Sequence, residues 1–362
     1  MKKLLLVGAG HAHLHIIKEF EQAPYEDLEV TLLSPSRYQY YSGMFSGYTE
    51  GVYKEEEIRV DIEALSERTG VKWYKEAVVS VDAVQKIALS DTGSLHEYDA
   101  VSFDIGSLTA HTSVKGVQQH ALRIKPNYHF PDALERLQQS KAPVVIGGGA
   151  AGTEIALNLQ AYRMKHNIQK PVQLLSSSDR LLPSQTEQVS AHIEKIVEHA
   201  GIELHLGEKV TEMNSMKVYT NTQAYPYKDA LWLAGPRAPE LFRLSKLPTD
   251  DQNYLLVEST LQVKDHPSVF GAGDCISLRD YPDLEKNGVF AVRQAPVLWK
   301  NILGFLYEKD GEHFIPQTRY LSILSTGDQK GFLMYGKWHL HTGWAWKLKH
   351  RIDSKFIARY QD

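Results

Sequence analysis

KKLLLVGAGHAHLH, residues 2–15, decides how the rest of the chain is read. Leu4–Val7 is an apolar run without polar alternation, the pattern of a strand buried on both faces of a parallel sheet. Gly8, Gly10 and His13 follow at the spacing of the dinucleotide fingerprint G-x-G-x-x-G, with histidine in the third slot. The first glycine allows a tight turn out of the strand, and the second lets a diphosphate approach the backbone with no Cβ in the way. The amides that open the next helix, at His11, Ala12 and His13, then point at the phosphates. One imperfect fingerprint is weak evidence. Its weight comes from repetition: residues 144–152 do the same again, and Gly271-Ala272-Gly273-Asp274 adds a third glycine turn.

The second unit is complete. Val144–Ile146 reads as a strand, Gly147, Gly149 and Gly152 fill all three glycine slots with Ala151 between them, and residues 153–164 have helical spacing. Each unit is closed later by an apolar run ending in glycine, 98–103 before Gly106 and 230–234 before Gly235. Two such units imply two dinucleotides, most simply FAD as a bound cofactor and NAD(P)H as co-substrate. The expected fold is α/β: two Rossmann-like three-layer dinucleotide-binding domains with a small C-terminal α+β tail. The first dinucleotide-binding domain is expected to be discontinuous, 1–112 and 237–306, with the second at 113–236; the resemblance given below implies FAD for the first and NAD(P)H for the second. Residues 307–362 supply strands and a basic amphipathic helix.

Composition narrows the function classes. The 362 residues are 43% hydrophobic and 23% charged, with a net charge of −4 that gives no reason to expect nucleic acid as a partner. The one cysteine, Cys275, excludes an intramolecular disulfide, a Cys-x-x-Cys redox pair and a thiolate-rich metal site, and it fits a reducing, cytoplasmic setting. No apolar stretch approaches the ~20 residues that span a bilayer. The run His11-x-His13-x-His15 lies in the phosphate turn and is assigned to packing or phosphate contact; no metal is expected.

Where dinucleotide folds commonly end the second strand in an acid that holds a ribose, this chain has Ser34, with Arg37 close behind, and Ser176, with Arg180 close behind. Losing the acid at Ser176 removes a repulsion against a 2′-phosphate, so NADH and NADPH both stay open. SRYQYYSGMFSGYTEGVY, residues 36–53, is aromatic with little periodicity and reads as a loop packed over a planar ligand.

GAGHAH at 8–13, VSFDIGS at 101–107, GGGAAGTEIA at 147–156, LWLAG at 231–235 and VFGAGDC at 269–275 together resemble the two-dinucleotide flavoprotein superfamily. Type II NADH dehydrogenases and sulfide:quinone reductases are similar in layout. YYSGMFSGYTEGVY at 40–53, GVFAVRQAP at 288–296, YLSILSTGD at 320–328 and WAWKLKHRIDSKFIARY at 344–360 resemble more closely the flavoprotein module fused in some bacteria to selenide, water dikinase. No kinase stretch accompanies it in these residues.

The resemblance implies FAD at Gly8, Gly10 and the helix after them, with Gly106 and Gly273 beside it and Asp274 holding a ribityl or diphosphate oxygen. NAD(P)H would lie on Gly147, Gly149, Ala151, Gly152, Ser176 and Gly235. Glu154 matches a glutamate near the flavin–nicotinamide contact. Gln294 matches the last glutamine of an acceptor-reading helix in which Arg293 replaces the middle one, and Lys125, before Pro126, would face the flavin. Hydride would pass from nicotinamide to flavin and on to a quinone or another small acceptor. A selenium- or sulfur-compound acceptor, and a slow-turnover redox sensor, are the alternatives. The single cysteine weighs against disulfide and sulfide chemistry.

Trp344, Leu348, Ile352, Phe356 and Tyr360 recur every four residues among Lys347, Lys349, Arg351, Lys355 and Arg359. Such a helix either lies on a membrane surface, placing the protein peripherally on the inner face of the cytoplasmic membrane, or docks on the flavin domain or in a homodimer interface.

Overall fold

The computed structural model describes residues 1–361. In chain order the elements that matter are β1 (Lys2–Val7), α1 (His11–Gln22), β2 (Leu28–Leu33), β3 (Lys72–Tyr74), β4 (Ala100–Phe103), β5 (Ala121–Leu122) and α2 (Phe130–Gln139). Then come β6 (Pro143–Ile146), α3 (Ala150–Lys165), β7 (Gln173–Leu175), α4 (Glu187–His199), β8 (Glu203–His205) and β9 (Asp229–Trp232). The chain continues through β10 (Leu255–Val257), β11 (Gln262–Val263), β12 (His266–Gly271), β13 (Ile276–Leu278) and α5 (Gly288–Tyr307). It ends in β14 (Ser322–Ser325), β15 (Gly331–Tyr335), β16 (Trp338–Thr342) and α6 (Gly343–Gln361).

The larger sheet runs β13-β10-β11-β12-β4-β1-β2-β3, and its centre, β12-β4-β1-β2-β3, is parallel throughout. The smaller, β5-β9-β6-β7-β8, is entirely parallel. The order β4-β1-β2-β3 in one is repeated as β9-β6-β7-β8 in the other. Register carries the repeat to the strand ends: Val7 pairs with Leu33 and Phe103, as Ile146 pairs with Leu175 and Trp232. Ser34 and Ser176 are therefore equivalent positions, and so are Asp104 and Leu233. The apolar runs are buried on both faces; Leu4, Leu5 and Leu6 are all within 1% of complete burial.

The two glycine helices differ. α1 buries one face through Leu14, Ile17 and Phe20, as its spacing predicts. α3 is buried nearly all round, from Thr153 to Ala161 and again at Arg163, because it lies between its own sheet and the tail. Asn158 makes that junction: its side-chain amide donates to the Ser325 carbonyl at 2.8 Å and its Oδ1 accepts from Ser325 Oγ at 2.9 Å.

The tail has three strands, with β15 and β16 joined at Gly336-Lys337, a two-residue turn closed by the Tyr335–Trp338 pair with Gly336 at φ +58°. One expectation is corrected: residues 36–53 are not a loop. They hold a strand, Tyr38–Tyr40, and a short helix, Phe45–Thr49. Their rings stack on protein: Phe45 on Phe130 with centroids 3.7 Å apart, Tyr41 on Phe356 at 4.5 Å and Tyr53 on His350 at 5.6 Å. α6 is thereby docked on the body of the protein through Ala345, Asp353, Phe356, Ile357 and Tyr360. Among the described residues no helix is long and apolar enough to cross a membrane.

Asn158→Ala strips partners from buried Ser325 and should lower stability by about 1–3 kcal/mol. Chemical denaturation would measure the loss. Faster amide exchange confined to Ser322–Ser325 and its hairpin would place it at the α3–tail junction.

Candidate active site

Val7, Phe103 and Gly271 lie side by side in register, so the turns after β1, β4 and β12 meet at one edge. Gly8 adopts φ +87°, and a Cβ there would sit 2.5 Å from the Asp104 carbonyl oxygen. At Gly10 a Cβ would strike the Asp104 carboxyl group at 2.2 Å. These contacts explain why both positions are glycine.

His13, assigned to packing or phosphate contact, turns its ring to packing. It is fully buried, with Nδ1 2.6 Å from the Gly8 carbonyl oxygen and Nε2 2.8 Å from Ser102 Oγ. Burial pushes its pKa down to about 4, against the opposing pull of the Gly8 carbonyl, so the ring is neutral. It then donates to Gly8 and accepts from Ser102, bracing the turn from behind. The His11 ring packs edge-on to Tyr41 and against Phe356, both with centroids 5.4 Å away, leaving its amide to the helix terminus.

Gln294 and Lys125 converge on the third turn. Gln294, 2% exposed, accepts the Gly273 N–H on its Oε1 at 2.7 Å. Its carbonyl is thus committed to holding the turn, and its Nε2 donates to no described residue. Lys125 Nζ donates to Ser107 Oγ at 2.6 Å and stands 3.8 Å from Asp274 Oδ2. Burial pulls its pKa down while Asp274 resists. This chain of groups ties the crossover segment to the GAGD turn.

Arg37 pairs with Asp61 and Glu63, each at 2.8 Å, while Ser34, buried at the end of β2, accepts Trp73 Nε1 on its carbonyl oxygen at 3.3 Å. Arg293 is exposed and joins no hydrogen bond or ion pair among the described residues, one helical step off the Gln294 face that meets the turn.

The second cradle is built alike and is more open. A Cβ at Gly147 would meet the Leu233 carbonyl oxygen at 2.5 Å, the same approach that Gly8 makes to Asp104. Gly149 has open space around it and Ala151 is exposed. Gly152 packs on the Gly147 carbonyl, and Gly106 and Gly235 both turn at positive φ beside their cradles. Ser176 Oγ accepts the Ser178 N–H at 3.2 Å, and Arg180 donates to the Pro183 carbonyl at 2.9 Å.

Glu154, one turn into α3, is not an isolated surface carboxylate. Its Oε1 accepts the Ser325 N–H at 2.8 Å and lies 4.0 Å from Lys349 Nζ. Lys349 donates to Asp353 at 2.8 Å and contacts the Gly43 carbonyl oxygen, and Tyr41 donates to Asp353 at 3.0 Å. Burial raises the Glu154 pKa, with Lys349 opposing. Burial works against the Lys349 charge too, but Glu154 and Asp353 outweigh it and hold its pKa up. Sequence reasoning missed Lys349 and Asp353. Their i,i+4 spacing was the available signal, hidden in a helix read as apolar stripe and basic face. Asp104 and Ser107 were missed inside the VSFDIGS turn.

Residues 2–299 match the model of the pyridine nucleotide-disulphide oxidoreductase family, and the chain belongs to that family. It is 22% identical over 338 residues to the NADH dehydrogenase-like protein YutJ of Bacillus subtilis, covering 92% of each chain. Its fold is similar to the NDH2 of Plasmodium falciparum in complex with NADH, with TM-score 0.84 and 14% identity over 99% of this chain and 97% of the other. The sulfide:quinone oxidoreductase of Aquifex aeolicus is similar to the same degree, with TM-score 0.84 and 18% identity over 100% and 92% of the two chains. The protein is an oxidoreductase of this flavoprotein class, with FAD as cofactor and NAD(P)H as substrate. The cradles fit those groups: helix amides face glycine turns that any Cβ would obstruct. The one feature against the fit is the Asp104 carboxyl in the first.

Lys349→Met should cost about 3–5 kcal/mol by leaving buried Asp353 and half-buried Glu154 without their cation. Adding Asp353→Asn should recover part of it. Denaturation of the two variants side by side checks the coupling, and equal losses would deny it.

Proposed function

We propose that the protein oxidises NAD(P)H and delivers the electrons to a quinone drawn from a membrane surface. The observation that carries this reading is the meeting of the first cradle, the Glu154 end of the second, and the tail helix. His11 touches Tyr41 and Phe356, and Lys349 bridges Glu154 and Asp353. We take 1–112 with 237–306 as the flavin unit and 113–236 as the nucleotide unit.

When bound, FAD supplies the hydride acceptor for the nicotinamide. The chain's own residues orient the partners and set the charge around them. Gly8, Gly10 and the α1 amides hold the diphosphate, while Asp274, fixed through Ser107 and Lys125, is placed for a hydroxyl of the same group. Gly147, Gly149 and Gly152 hold the second dinucleotide. Glu154 and Lys349 form a half-buried acid–base pair where a proton is held or passed on. Sulfur chemistry has no support from Cys275: it is completely buried, and burial pushes its thiol pKa up.

The membrane reading is supported by what α6 and its hairpin leave uncovered. Trp338 is 81% exposed, Trp344 61%, Leu340 50% and Ile352 48%, with Lys347, Arg351, Lys355 and Arg359 exposed along the helix. Exposed tryptophans among cations suit the headgroup region of an anionic bilayer. The acceptor is then a lipid-soluble molecule.

Anaerobic mixing with NADH or NADPH should bleach the flavin band quickly, and a menaquinone analogue should restore it quickly. Bleaching without return would remove quinone as the acceptor, and no bleaching by either nucleotide would remove the dehydrogenase reading. In sedimentation with anionic vesicles, Lys347→Glu/Arg351→Glu should abolish binding that high salt also weakens. Equal binding of this variant and the parent would overturn the membrane face.

A further inference from the structure

The two cradles are equivalent in backbone and differ in one side chain. Asp104 and Leu233 occupy the same register position, each one residue beyond the central strand's partner, and each turns its carbonyl oxygen on the first glycine of its fingerprint. The fold therefore does not require an acid there. Yet the Asp104 side chain enters the cradle. Oδ2 accepts the Ala12 N–H at 2.7 Å and the His13 N–H at 3.3 Å, the amides that the fingerprint offers to a phosphate. Oδ1 accepts from no described residue and lies 2.6 Å from where a Gly273 Cβ would be, with the Gly10 Cα pressed against the same carboxyl group. In the second cradle neither Leu233 nor another side chain caps α3. An anionic carboxylate already holds the anion position in one cradle only.

A diphosphate brought to these amides meets that carboxylate at close range, and the two charges repel. The conflict is relieved if Oδ1 takes a proton. The neutral acid keeps accepting amides on Oδ2 and donates from Oδ1 to a phosphate oxygen. We propose that Asp104 is a proton-linked clasp of the FAD diphosphate: its carboxyl fills the empty cradle, and FAD binding takes up one proton onto it. This rests on the reading of the first cradle as the FAD site.

The surroundings favour that proton. Asp104 is 4% exposed, and burial raises its pKa to about 7 against the pull of the Ala12 and His13 amides, with the Asp274 charge pushing the same way as burial. The other titratable groups near it have partners of their own or are held neutral. His13, behind the turn, is spent on Gly8 and Ser102, and the His11 pKa is lowered by burial. The Cys275 thiol is raised by burial and by Asp104 itself, and Lys125 is held by Ser107 and Asp274. Lys286 donates to the Ile276 carbonyl. No cation makes an ion pair with Asp104 among the described residues. Well below pH 7, then, the acid is already protonated and FAD binding takes up nothing. Above it, the incoming negative charge raises the pKa further, protons are taken up, and affinity falls as pH rises.

The test is calorimetric titration of FAD into the full-length apoprotein, in buffers of differing ionisation enthalpy, from about pH 6 to about pH 9. The expected result is uptake approaching one proton above pH 7, vanishing at the acid end, with Kd rising by up to about tenfold per pH unit. Asp104→Asn should bind FAD with no uptake and a flat Kd; Asp104→Ser, which can still accept the Ala12 amide, does the same if the first variant does not fold. No uptake by the parent protein, or the same uptake in the variants, overturns the clasp. FAD binding without proton uptake would leave the flavoprotein reading standing, and no FAD binding at all would remove that reading instead.

Discussion

Val7, Phe103 and Gly271 end beside one another in a parallel sheet, and most of the site depends on that alignment. Strand ends that stop together throw their turns to one edge, and the helix after the first turn presents the amides of its opening turn there. The backbones then pack so closely that only glycine fits at Gly8 and Gly10. His13 behind the turn and Gln294 across it are spent on backbone groups that would otherwise move. The second unit, around Ile146 and Trp232, repeats the construction with fewer side chains committed to it.

Between the two cradles the tail acts as a fastener. Asn158 and Ser325 lock the hairpin to α3, Lys349 and Asp353 reach into the seam at Glu154, and Tyr41 and Phe356 stack over His11. Each contact pairs a polar group or covers an aromatic ring. The same helix turns tryptophan, isoleucine and four cations outward. Its two faces divide the readings that the sequence alone left open: one is docked on the protein, and the other is free for a surface.

Side-chain direction is what the sequence left open. Gln294, Arg293 and Arg37 are singled out there by their neighbours alone, and the structure supplies their partners. One helical step of about 100° separates Gln294 from Arg293, and that step puts one on the GAGD turn and the other in solvent. Arg37 follows a strand end as expected, but Asp61 and Glu63, brought close by the Tyr38–Tyr40 pairing with Arg59–Asp61, claim its guanidinium.

By itself the sequence determined the two dinucleotide units, their equivalence and the edge at which they work. Apolar runs that end in glycine turns admit few other solutions, and their information is local. It also contained Lys125 and Glu154 as candidates. Tertiary structure decided what those residues meet: Lys125 finds Ser107 and Asp274, and Glu154 finds Lys349 and Ser325, the latter 171 positions away. It alone revealed Asp104 as an acid inside an anion cradle, because a strand-end aspartate becomes unusual only when the parallel strand beside it delivers a helix terminus to its carboxyl group. Spacing fixes which backbone turns; long-range pairing fixes which charges share a site, and no residue's neighbours in sequence carry that information.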